Sequence, residues 1–238
     1  MQKQSTNNKP LCILAIETSC DETAIALIES PRTGHSFRVL SNIVLSQIKL
    51  HEKWGGVVPN LAKREHEKNL APLLLQALEE AHLDESGIMN QESREKTKIH
   101  NSKFIIHNSI LGKNEELRTN FEKYTENRMR PSIDLIAVTQ GPGLEPALWV
   151  GVNFARALSV LWNIPLVGVN HMEGHVFSAL IEQKKISNSP NYPISKNFKT
   201  KSPARAGEYK LTAINYPALA LLVSGGHTEL VLMRKPLK

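Results

Sequence analysis

Cysteine is scarce. The chain has two, Cys12 and Cys20, too few for a disulfide framework. Cys12 lies in an apolar run and reads as a small buried hydrophobe. Long hydrophobic runs are missing too. Residues 1–10 are polar, and Leu11 to Ile16 is far too short for a signal-peptide core or a membrane span. These absences exclude a disulfide-stapled secreted domain and a protein held by membrane helices, and they point to the cytoplasm. What is present is a hydrophobic content of 41% in 238 residues, enough to bury a core in one large domain or two small ones.

The net charge of +6 is unevenly spread. From Glu182 to Lys210 seven Lys and Arg residues face two acids, so this segment alone holds +5 of it. Such a stretch can meet nucleic-acid phosphates or serve as a solvated linker.

Leu11 to Ile16 reads as a buried strand, Glu17 to Thr23 as a turn dense in hydroxyls and carboxylates, and Ala24 to Glu29 as the second arm of a hairpin. Phe37 to Leu45 is a third strand, and Gly55-Gly56 with Pro59 marks a turn. Leu70, Leu74, Ala77, Leu78 and Ala81 fall at helical spacing within 61–81. Residues 84–131 are rich in Asn, Ser, Glu and Lys with weak periodicity, and read as a partly disordered insertion. Strand character resumes at Ile133 to Thr139. A tight turn, Gln140 to Leu144, then leads into an apolar helix over 147–162, with Pro146 suited to its first turn. Leu166 to Val169 is another strand.

That strand delivers Asn170-His171-Met172-Glu173-Gly174-His175, ahead of a helix expected over 176–181. Residues four apart on a helix share a face, with side chains roughly 5–6 Å apart. His171 and His175 can therefore put two imidazoles on one metal ion, or be two histidines that merely fall at that spacing. The pattern is not the His-Glu-x-x-His of zinc proteases. Glu173 stands two places after the first histidine, turned about 200° away, and is badly placed as a general base. The chain then repeats its opening plan. Ala218 to Val223, the polar turn Ser224-Gly225-Gly226-His227-Thr228, and Glu229 to Met233 form a second hairpin. A repeat after one βββαβα unit suggests two related lobes facing each other across a cleft. There the amides of Ser224, Gly225 and Gly226 can cradle a phosphate, although a Gly-Gly pair is often only a turn.

Five motifs stand in a familiar order: Ile16 to Thr23, Gly55 to Pro59, Gly141 to Leu144, His171 to His175, and Leu222 to Thr228. In these the chain resembles the tRNA adenosine threonylcarbamoyltransferase (TsaD) family. The resemblance implies an α/β fold of actin/Hsp70/sugar-kinase (ASKHA) type, with the first lobe complete and the second only begun. Residues 1–10 would be a disordered N-terminus, 11–181 the first lobe with its polar insertion at 84–131, 182–216 a basic linker, and 217–238 the start of the second lobe.

The implied activity is transfer of the threonylcarbamoyl group of threonylcarbamoyl-adenylate to the exocyclic amine of the adenosine next to the tRNA anticodon (adenosine 37). The resemblance assigns one divalent metal ion, iron ahead of zinc, to His171 and His175. It gives nucleotide contacts to Leu222, Val223, Ser224, Gly225 and Gly226, and catalytic roles to Asp21, which positions the substrate or the amine, and to Glu22 as its support. It implies tRNA, threonylcarbamoyl-adenylate, a paralogous ASKHA subunit and an ATPase subunit as partners. An acyl-adenylate is already activated, so no covalent nucleophile is required.

The family continues past the second hairpin and there brings a carboxylate as third metal ligand. The expectation is therefore of a piece whose remainder lies on a longer or separate chain, or of a copy that acts as an inactive or partner-dependent scaffold. A non-catalytic paralogue should lack the histidine pair and the Ser-Gly-Gly-His-Thr turn, and this chain has both. A sugar or acetate kinase would carry Asp-x-Gly at the first hairpin, where Ser19-Cys20-Asp21-Glu22 stands.

Overall fold

The computed structural model describes residues 9–33, 35–83, 106–125, 130–183, 207–223 and 228–235. The strands are β1 (Leu11–Glu17), β2 (Glu22–Ser30), β3 (Ser36–Ser46), β4 (Leu135–Gly141), β5 (Leu166–Asn170), β6 (Ile181–Gln183), β7 (Gly207–Leu211), β8 (Ala218–Val223) and β9 (Thr228–Met233). The helices longer than two turns are α1 (Pro59–Glu80), α2 (Glu115–Thr125), α3 (Glu145–Trp162) and α4 (His171–Ser178).

β1 is the organising strand. Its side chains alternate, with Cys12, Leu14 and Ile16 buried on one face. On one side it pairs antiparallel with β2, and β2 with β3. On the other it pairs parallel with β4, and β4 parallel with β5. β7 and β6 extend the β3 edge, giving the order β5-β4-β1-β2-β3-β7-β6. β8 and β9 form a separate two-stranded sheet, and β8 passes against α4.

The core forms where one sheet face meets α1 and α3, with α2 packed against both helices. Leu14, Ile16, Ile25, Leu27, Ile43, Ile136 and Val138 pack there with Leu70, Leu74, Ala77, Phe154 and Leu158. Each helix contributes an apolar stripe at three- and four-residue spacing. α1 opens at a proline, whose missing N–H costs nothing in a first turn. α3 ends at Asn163, held left-handed at φ +52°.

Three segments differ from the sequence expectation. Within the span read as a polar insertion, α2 is a helix whose Leu117 and Phe121 enter the core, Phe121 meeting Phe154 edge-on at 5.8 Å. Leu117, Phe121 and Tyr124 are helically spaced, but Asn, Glu and Lys on both sides dilute the signal. Within the span read as a basic linker, Gly207–Leu211 is a strand on the β3 edge. Tyr209 secures it by stacking on Phe37 at 5.8 Å. The helix expected over 176–181 instead spans His171–Ser178, with Ile181 already in β6, and it begins at His171 because Asn170 is an effective N-cap. Its Oδ1 accepts from the backbone N–H of Met172 at 2.8 Å and of Glu173 at 3.2 Å.

Candidate functional site

The parallel strands β1, β4 and β5 end side by side, and polar residues replace apolar ones at that edge. In register, Ile16 lies beside Val138 and Thr139 beside Val169, so the next residues on are Glu17, Thr139 itself and Asn170. The carboxyl ends of parallel strands are where open α/β sheets place their ligands.

Glu17 is the hub of this edge. Its Oε1 accepts from the backbone N–H of Ser19 at 2.5 Å, and its Oε2 accepts from Thr139 Oγ1 at 2.5 Å. His171 Nδ1 lies 3.2 Å from the same Oε2. Burial opposes ionisation of Glu17, but hydrogen bonds from His171, Thr139 and Ser19 outweigh it and hold the carboxyl at about 2. Reciprocally, the Glu17 hydrogen bond raises the pKa of His171 against the opposing effect of burial.

The capped start of α4 sets His171 and His175 on one face. Their Nε2 atoms are 3.0 Å apart, with ring centroids 4.5 Å apart and planes at 78°. Two nitrogens bound to a tetrahedral ion at about 2.0–2.1 Å stand roughly 3.3 Å apart. The pair therefore fits one edge of a coordination shell to within a few tenths of an ångström. Among the described residues no cluster of three or more His, Cys, Asp or Glu side chains is assembled for a metal. The pair supplies two ligands. Glu173 is exposed on the same helix.

The turn carrying Asp21 and Glu22 begins against this pair, since Ser19 Oγ lies 3.2 Å from His171 Nδ1. It is clamped on both sides. The Ser19 carbonyl accepts from Leu144 N–H at 2.7 Å, and the Asp21 carbonyl from Gln47 N–H at 2.8 Å. Thr18 Oγ1 donates to the Ala147 carbonyl at 3.0 Å, in the first turn of α3. The approach is so close that a Cβ on Gly143 would lie 2.6 Å from the Ser19 carbonyl oxygen, and one on Gly151 2.3 Å from Thr18 Oγ1. Burial, then the Asp21 carboxylate, push the Cys20 thiol up to about 11, which keeps it protonated near neutrality and unsuited to nucleophilic attack.

Of the residues singled out from sequence, the structure brings His171 and His175 together; Asp21 follows two residues after Ser19, which lies against His171, and Glu22 opens β2 with its side chain exposed. Leu222 and Val223 lie in β8, the strand that passes α4, with Val223 exposed. Ser224, Gly225 and Gly226 lie outside the described residues. Glu17, Ser19 and Thr139 were not among the candidates. Their signal was a polar residue at the end of each of two adjacent apolar strands, which becomes informative only once those strands are known to be parallel neighbours. His66 is fully buried and engaged by Thr23 Oγ1 at 2.8 Å and the Cys20 carbonyl at 3.0 Å.

A sheet ordered β3-β2-β1-β4-β5, antiparallel on one side of β1 and parallel on the other, with helices over its core face and a polar edge, is an α/β architecture of the kind that the resemblance to the actin/Hsp70/sugar-kinase group implied. The family model for tRNA N6-adenosine threonylcarbamoyltransferase (TsaD) matches residues 38–89 and 122–195. The chain belongs to that family. It is 36% identical to the tRNA N6-adenosine threonylcarbamoyltransferase of Thermomicrobium roseum over 94% of this chain and 42% of that protein. It is 33% identical to that of Bacillus subtilis over 97% of this chain and 44% of the relative. Against the protein of the same name from Onion yellows phytoplasma it is 36% identical over 92% of this chain and 60% of the relative. The chain thus spans 42%, 44% and 60% of the length of these three relatives. Among the described residues no helix is long and apolar enough to cross a membrane.

Proposed function

We propose that this chain carries the metal-binding part of a threonylcarbamoyl transferase acting on tRNA in the cytoplasm. The observation that supports it best is the convergence of His171 and His175, with Nε2 atoms 3.0 Å apart, beside the Asp21 turn. The donor would be threonylcarbamoyl-adenylate and the acceptor the exocyclic amine of the adenosine next to the anticodon. A paralogous subunit of the same fold and an ATPase subunit would complete the assembly.

His171 and His175 would hold one divalent ion, iron ahead of zinc, which when bound polarises the donor and offsets its negative charge. Asp21 sits on a clamped turn and would orient the amine and take the proton it loses as the new C–N bond forms and AMP leaves. Glu22 would support Asp21. Leu222 to Gly226 would hold the leaving nucleotide by backbone contacts. The backbone of the turn before β2 is held by Gln47, Leu144 and Ala147, which supports a geometry set before substrate arrives.

The test is nucleoside mass spectrometry of tRNA incubated with threonylcarbamoyl-adenylate and the purified chain, alone and with its partner subunits. Threonylcarbamoyladenosine should form, and Asp21→Ala should abolish it while adenylate binding persists. Absence of product under both conditions would overturn the transferase reading and leave a scaffold role. Equal loss of binding and transfer in Asp21→Ala would remove Asp21 from the chemistry.

A further inference from the structure

Glu17 makes contacts that the strand it ends does not need. A β1 carboxylate already satisfied by Ser19 N–H and Thr139 Oγ1 also reaches a ring nitrogen 154 residues away, His171 Nδ1 at 3.2 Å from Oε2. An ionised carboxylate can only accept, so the proton of this hydrogen bond sits on His171 Nδ1. In the neutral ring that leaves the lone pair on Nε2, the atom 3.0 Å from His175 Nε2. Left free, the ring could carry its proton on Nε2 and turn an N–H toward the point a cation would occupy.

Two further contacts limit how the ring and its partner carboxylate can turn. Ser19 Oγ lies 3.2 Å from Nδ1 and 3.5 Å from Nε2, against the ring edge. Thr139 Oγ1 and Ser19 N–H fix the two Glu17 oxygens separately, so the carboxylate cannot rotate away from His171 without losing one of them. Glu17 is held from β1 and β4 while His171 is presented by α4, so the carboxylate ties the helix to the parallel strand ends.

We infer that Glu17 is a positioning residue that fixes the Nδ1–H tautomer and the ring orientation of His171, and so sets the affinity of the His171–His175 pair for a divalent cation. This rests on the metal reading of that pair. Carboxylates behind metal-binding histidines are generally worth about 10–100-fold in affinity.

The experiment titrates the full chain with zinc chloride by calorimetry and with cobalt(II) by visible absorption, for wild type, Glu17→Gln, Glu17→Asp and His171→Ala. Circular dichroism melts check that each variant is folded. Nitrogen NMR of the histidine rings reads the tautomer of His171 without metal. The expected result is binding by wild type, loss in His171→Ala, and affinity about 10–100-fold lower in Glu17→Gln, with the Nε2–H tautomer of His171 now populated. Glu17→Asp, which withdraws the carboxylate by one methylene, should shift both readouts the same way, and decides the matter should Glu17→Gln not fold. Wild-type affinity and tautomer in either folded Glu17 variant, with binding still lost in His171→Ala, would overturn the role of Glu17 alone. Equal binding by wild type and His171→Ala, or none by wild type, would overturn the metal reading and this inference with it.

Discussion

His66 Nε2 donates to the carbonyl oxygen of Cys20 at 3.0 Å, and that carbonyl opens the turn that carries Asp21. The same ring accepts from Thr23 Oγ1 at 2.8 Å through Nδ1, so the imidazole is neutral with its proton on Nε2. Gln47 Nε2 lies 3.4 Å from that Nδ1, and Gln47 Oε1 accepts from His51 Nε2 at 3.0 Å. The turn is thus wired through a buried polar chain to α1 and to the segment after β3. Replacing His66 by Ala orphans the Cys20 carbonyl and the Thr23 hydroxyl. It should cost about 1–3 kcal/mol of stability, read from urea unfolding.

His66 also gives a pH dependence with a defined sign. Burial is the main cause of its lowered pKa, opposed by the Cys20 carbonyl and by the carboxylates of Glu17, Asp21 and Glu65. Gln47 and Thr23 face it uncharged, and His51 reaches it only through Gln47. The unfolded chain therefore binds a proton near the ordinary 6.5 that the folded chain refuses until lower pH. Its contribution is full above 6.5 and lost as pH falls through the lowered value. His171, raised by Glu17, behaves oppositely: its contribution is full below 6.5 and lost as pH rises through its raised value. Urea midpoints of wild type and His66→Gln, compared between about pH 5 and 8, should converge toward acid. Parallel curves would contradict a neutral buried ring.

The contact between Thr18 and Gly151 allows a double-mutant cycle. A methyl group on Gly151 would meet Thr18 Oγ1 at 2.3 Å, so Gly151→Ala should destabilise by about 1–3 kcal/mol. Thr18→Ala loses the bond to the Ala147 carbonyl but makes room for that methyl. The double variant should therefore be more stable than the sum of the two single effects implies. Strict additivity would show that the turn and α3 are not in this contact.

α2 is part of the core despite its polar surroundings. Leu117 is fully buried, and Leu117→Ala should cost about 2–5 kcal/mol by chemical denaturation. Arg118, paired with Glu122 at 3.7 Å on the outer face, should cost less than about 0.5 kcal/mol when replaced by Ala. Similar small effects at both positions would remove the helix from the core.

Much of the fold was legible because its strands are short, apolar and separated by strong turn residues. The β1–β2 hairpin, the helix after Pro59, the apolar helix after Pro146 and the β8–β9 hairpin all follow from local pattern. The i, i+4 spacing of the two histidines was legible too, although the helix expected from 176 begins five residues earlier, at His171, and so carries both of them. What was not legible depends on neighbours distant in sequence. Tyr209 marks a strand only because Phe37 is across from it. Phe121 marks a core helix only because Phe154 receives it. Glu17 joins the site only through parallel pairing of β1 with β4, which sets Thr139 beside it.

The central claim is that one divalent cation sits between the Nε2 atoms of His171 and His175. Anomalous diffraction at the zinc edge, from crystals of this chain grown with zinc, tests it most directly. The account predicts a peak about 2.0–2.1 Å from both nitrogens. Zinc bound elsewhere, or no peak at the pair in crystals soaked at high zinc, would contradict it.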